Sequence, residues 1–214
     1  MIEPAGESVT GVETRVHGHG APVTLIAHGL GETVEQARVW ASGVRGTRVF
    51  PSFRGHGGTP TPAGPWSYDD LVAELRTGAD PYPVTRAIGA SLGSAVLLRW
   101  LQHQPDRFDR VVLVLPAMYD ERRARTTAKP FRHESVHYRT LLQTPPVTES
   151  EQLRKVSAPV LLIGQYGDDE HPAGIAQRLA DAFPHPTLRI LPAGGLLQRH
   201  RRQLRELIGS FLNA

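Results

Sequence analysis

Residues 85–100 read TRAIGASLGSAVLLRW, and the two halves of this stretch follow different periods. TRAIGA is short, largely apolar and ends in small residues, as a buried strand does. In the LGSAVLLRWLQHQ that follows, Ala95, Leu98 and Leu101 recur at a spacing of three, which predicts a helix. Between them Ser91 stands between Gly89 and Gly93 in a GASLG pentapeptide. A serine at a sharp strand-to-helix turn has its hydroxyl lifted clear of the sheet, and small residues two before and two after keep the neighbouring elements from colliding. The start of a helix also offers backbone N–H groups and a positive dipole end to a developing oxyanion. Ser91 is therefore a candidate nucleophile.

Working outward, further apolar runs stop at turn-forming residues. VTLIA (23–27) ends at His28-Gly29, and RVF (48–50) ends at PSFRGHGG. VVLVLPA (111–117), PVLLIG (159–164) and TLRIL (187–191) complete the strands. Helical patterns fill the gaps: YDDLVAELRTG (68–78) with Ser67 as N-cap, AGIAQRLADAF (173–183) opened by Pro172, and LLQRHRRQLRELIGSFL (196–212). Strands alternating with helices imply an α/β fold in one domain, with a doubly wound, mostly parallel sheet and right-handed crossovers. Residues 118–156 break the alternation and read as a lid insertion, because long structureless connections are uncommon without a role.

Composition narrows the chemistry. The 214-residue chain has no Cys, so disulfides, thiolate nucleophiles and Cys-bound metals are excluded. Its net charge of +3 does not call for nucleic acid, and no apolar run is long enough to cross a bilayer. The N-terminal MIEPAGESVTGV lacks the marks of a secretory signal, so the expectation is a cytoplasmic protein without a membrane partner. Basic residues gather in 122–139, RRARTTAKPFRHESVHYR, a segment read either as a solvated loop or as an attractor of an anionic small molecule, with Arg122, Arg123 and Arg125 foremost.

In such sheets ligands bind beyond the carboxyl ends of the strands, where AHGLG (27–31), PSFRGHGGT (51–59), GASLG (89–93) and PVLLIGQYGDD (159–169) all end. In this order, with a final strand and amphipathic helix, these motifs resemble the α/β-hydrolase family over nearly the whole chain. The resemblance implies Ser91 as the nucleophile acting on a small ester, lactone or thioester, and Asp168 as the acid that orients a histidine. It implies an oxyanion hole from the N–H groups of Leu92 and Leu30, and no cofactor. His56 looks like the structural histidine of the RGHG loop. His28 reads as loop-shaping, and His28, Gly29 and His171 are the residues expected near substrate.

One position departs from the family. Its members place the catalytic histidine in the loop after the last strand, where this chain reads LPAGGLLQRH and offers Gly195. A serine without a base is a poor nucleophile at neutral pH. Four readings stay open. His200, five residues on, is one substitute; His171, three residues after Asp168, is another. Alternatively the pocket serves lyase, cyclase or isomerase chemistry, or it binds a ligand without turnover. Separately, HESVH (133–137) matches the zinc pattern H-E-x-x-H, but it lies in the insertion with only Glu149, Glu151 or His171 as a third ligand, so no metal is expected.

Overall fold

The chain is described by a computed structural model covering residues 11–117 and 136–214. The apolar runs form the middle of a seven-stranded sheet: β2 (Val23–Ala27), β3 (Thr47–Pro51), β4 (Val84–Ala90), β5 (Arg110–Val114), β6 (Val160–Gln165) and β7 (Pro186–Leu191). A further strand, β1 (Thr14–His17), pairs antiparallel with β3 at the edge, and the order is β1-β3-β2-β4-β5-β6-β7. All other pairings are parallel. β1 has no apolar run because an edge strand has little to bury: its Val16 remains exposed.

Alternation explains why the central strands read as continuous apolar runs. In β2, Leu25 and Ala27 enter one core and Ile26 the other; Val111 and Leu113 oppose Val112 and Val114 in β5, and β6 repeats the pattern. One core holds α2 (Tyr68–Ala79), α3 (Leu92–His103) and α5 (Ala173–Ala182), through residues such as Leu71, Leu97, Leu101 and Leu179. The other holds α1 (Val34–Ala37) and α7 (Arg201–Asn213), through Val34, Leu204 and Ile208. Leu97 and Leu101 are fully buried, each contributing about 2 kcal/mol of transfer free energy. α2 begins as its sequence predicts: the Ser67 hydroxyl accepts the Asp70 N–H, and the Asp70 carboxylate accepts the Ser67 N–H.

Two regions differ from the sequence reading. The C-terminal pattern is not one helix. α6 (Leu196–Arg199) ends at His200, which leaves helical geometry before α7 begins. Of the expected lid, residues 136–156 are described, and they add structure that the sequence reading did not assign. α4 (Val136–Leu141) and a 3₁₀ turn (Ser150–Lys155) bring Leu141, Leu142, Val147, Leu153 and Val156 into the α3 side of the core. Those five apolar side chains gain by burial, and Leu142 also lines the cavity at the carboxyl edge of the sheet. The Tyr138 hydroxyl then donates to the Arg54 carbonyl at 3.0 Å, tying α4 to the loop after β3. Arg122, Arg123, Arg125, His133 and Glu134 lie outside the described residues. No described helix is long and apolar enough to cross a membrane.

Candidate active site

β4 runs straight into α3 through Ser91, whose backbone adopts φ 48° and ψ −109°, a region a non-glycine residue occupies only under constraint. The constraint is visible. The Ser91 N–H donates to the Val114 carbonyl at 3.0 Å, and the Ser94 hydroxyl lies within reach of the Gly89 and Val114 carbonyls. A side chain at Gly89 would meet the Gly93 carbonyl oxygen at 2.6 Å, and one at Gly93 would overlap the Ala27 carbonyl. Gly89 is thus required by the first turn of α3 folding back over β4, and Gly93 by α3 passing against the end of β2.

The loop after β6 brings an imidazole to this serine. Asp168 accepts the backbone N–H groups of Glu170 and His171 at 3.0 and 2.9 Å, a tight local turn. Pro172 follows, and a residue before proline avoids helical backbone, so His171 stays outside α5. Its ring folds back with Nδ1 at 3.1–3.2 Å from the Asp168 carboxylate, while Nε2 stands 2.9 Å from Ser91 Oγ. Burial works against the Asp168 charge, but the His171 ring and the two N–H donors outweigh it and hold this carboxyl below its ordinary pKa. An ionised Asp168 only accepts, so Nδ1 carries the proton and the Nε2 lone pair faces the serine hydroxyl.

Ser91 and His171 open onto a cavity of about 190 Å³, whose wall includes Gly29, Leu30, Leu92, Leu115 and Leu142. Two histidines fix the loops behind it reciprocally. His28 Nε2 accepts the Phe53 N–H at 3.0 Å, and His56 Nε2 accepts the Gly31 N–H at 2.9 Å, stapling the loop after β2 to the loop after β3. Each then donates from Nδ1 to a carbonyl, His28 to Gly29 and His56 to Arg54. Burial, helped by the neighbouring His56, pushes the His28 pKa down to about 3, so its ring is neutral. Glu32 completes the wall: its carboxylate accepts the Gly29 N–H at 2.7 Å and the Trp40 indole N–H at 3.1–3.2 Å. Burial raises the Glu32 pKa despite these donors.

Ser91, Asp168 and His171 are thus brought together, and Leu30, Leu92 and Gly29 line the same cavity. Two expectations need correcting. His200 is not the imidazole on Ser91. It occupies the α6–α7 junction, outside the cavity wall, with its Nε2 buried and unpartnered among the described residues. His28 does not line the cavity: both ring nitrogens bond backbone groups and the residue is buried. Gly195 caps α6 at φ 83°, and the vacancy it suggested is filled from the preceding loop. His137, the described end of the HESVH pattern, stacks on Trp66 with centroids 4.8 Å apart. No cluster of three metal-ligating side chains occurs among the described residues. Sequence reasoning missed Glu32, Trp40 and Leu115; the acid one residue past HGLG was the available signal for the first.

Residues 22–165 match the family model of the alpha/beta hydrolase fold, and the chain belongs to that family. Among solved structures it is similar to an esterase from Exiguobacterium antarcticum, with a TM-score of 0.77 and 14% identity over 95% of this chain and 96% of that one. A meta-cleavage product hydrolase from Pseudomonas fluorescens gives a TM-score of 0.76 at 18% identity, covering 98% of each chain. The enol-lactonase from Burkholderia xenovorans gives 0.75 at 17% identity, over 97% of this chain and 99% of that one. Identities this low bear on the fold. Comparison with curated protein sequences gave no match.

Proposed function

We propose that this protein is a serine hydrolase of small carboxylic esters, lactones or thioesters, with Ser91 as nucleophile, His171 as general base and acid, and Asp168 as the group that orients and stabilises the imidazole. The 2.9 Å approach of His171 Nε2 to Ser91 Oγ, backed by the Asp168 contact, carries this reading. Ser91 Oγ attacks the acyl carbon as its proton passes to His171 Nε2. The carbonyl oxygen becomes an oxyanion held by the N–H groups of Leu92, at the start of α3, and Leu30. Such donors contribute on the order of 10²-fold or more each. The protonated His171 then gives its proton to the leaving oxygen or sulfur, and water, activated by the same imidazole, releases the acid.

The cavity of about 190 Å³ is small and mostly apolar, which favours short acyl groups. The test is labelling by a fluorophosphonate together with release of p-nitrophenol from acetyl and butyryl esters. Stoichiometric labelling and turnover, both lost in Ser91→Ala, are expected. A protein that neither labels nor turns over any short ester is not a serine hydrolase.

A further inference from the structure

Among the described residues, the acidic side chains on the wall around the nucleophile have a sign opposite to that of the chain. Net charge is +3, yet the charged side chains on the described cavity wall are Glu32 and Glu170, and no lysine or arginine lies among its described residues. The arginines that do converge, Arg38, Arg48 and Arg201 with His17, line a separate concavity between α1, β3 and the start of α7, which shares no residue with the Ser91 cavity.

Glu32 is firmly placed. Its carboxylate is clamped by the Gly29 N–H and the Trp40 indole, so it is not free to swing into solvent. Those neutral donors fix the carboxylate and favour its ionised form, working against burial, which favours the neutral one. Glu32 also lies near enough to His171 for the two to interact electrostatically. In the triad chemistry described above, Glu32 has no task.

We propose that Glu32 is a specificity-determining residue: it makes the Ser91 cavity favour substrates that bring an ammonium or another hydrogen-bond donor beside the acyl carbon, and disfavour those that bring a carboxylate or phosphate there. The inference rests on the reading of Ser91 as nucleophile. Its physical basis is that a fixed charge in a partly desolvated wall interacts with a guest charge far more strongly than it would in bulk water.

Three p-nitrophenyl esters of nearly equal size separate the charges: β-alanyl (cationic), butyryl (neutral) and succinyl (anionic). Each kcat/KM is divided by the ester's own hydroxide-catalysed rate, which removes intrinsic reactivity. The wild-type protein is expected to prefer β-alanyl over succinyl by at least about tenfold. In Glu32→Gln that ratio falls to within about threefold of unity, and in Glu170→Gln the preference survives. Binding of β-alaninamide, butyramide and succinamate to Ser91→Ala, followed by calorimetry, is expected to show the same order without turnover. This arm needs no Glu32 variant, so it decides the matter even if Glu32→Gln fails to fold. An equal or inverted order in the wild type or in Ser91→Ala overturns the proposal, as does a ratio that persists in Glu32→Gln or collapses in Glu170→Gln alone. Absence of fluorophosphonate labelling and of all turnover instead defeats the hydrolase reading, and the amide binding order then still decides the role of Glu32.

Discussion

The loops that follow β6 and β7 both start with a strand ending at the carboxyl edge of the sheet and both lead into a helix, but they bring different chemistry to Ser91. The loop after β6 contains a carboxylate that captures two downstream N–H groups, and this local turn returns His171 to Asp168 and to Ser91. The loop after β7 contains two glycines at positive φ, with Gly195 capping a one-turn helix, and delivers only backbone. In the family's usual arrangement, as the sequence resemblance implies, the acid and the base come from these two loops separately. Here four consecutive residues of one loop, 168–171, hold both on the proposed reading. An imidazole needs a lone pair near the hydroxyl and an acid behind its other nitrogen, and the loop after β6 meets both conditions.

The sharpest break of this comparison is His171→Ala against His200→Ala. Loss of His171 is expected to reduce kcat/KM for a short p-nitrophenyl ester on the order of 10⁴-fold, while loss of His200 changes it by no more than about threefold. The reverse ranking would move the base to the C-terminal junction. Next in size is Asp168→Asn. The amide can donate to Nδ1, which favours the tautomer whose Nε2 carries a hydrogen and cannot accept from Ser91. A loss on the order of 10³-fold is expected, with KM little changed, measured from steady-state rates. The smallest activity effect belongs to Gly195→His. With Ser91 already served by His171, no gain in esterase rate is expected. The φ of 83° at this position costs a non-glycine residue about 1–2 kcal/mol, read as a lower midpoint in urea unfolding. A large gain in rate from this variant would show that His171 is not poised as a base.

Legibility followed locality. Gly89, Ser91 and Gly93 were readable because a strand-turn-helix junction is written in adjacent residues, and the glycines answer to sterics that any such junction meets. Leu92, beside Ser91, and Leu30, in the HGLG loop after β2, came from the family resemblance instead. The Asp168-x-x-His171 spacing was equally local, and the carboxylate-capped turn with proline after it was the signal, but the pattern of the family directs attention one loop further on. The break at His200 escaped because RHRR continues a helical period on either side of it. Glu32 escaped for another reason: one acid after a glycine-rich loop reads as surface, and only the packing of Trp40 over it makes it part of a wall.

The sequence by itself determined the alternating strands and helices, the capped start of α2, the start of α5 at Pro172, and the serine at the junction, because each depends on residues within a turn or two of one another. Only the tertiary structure decided which of ten histidines meets Ser91, that His28 and His56 staple two loops, and that the described cavity wall of a basic protein carries Glu32 and Glu170 but no lysine or arginine. Those outcomes depend on distances between residues far apart in the chain, here 80 positions between Ser91 and His171, and such distances are set by how the sheet and its loops pack.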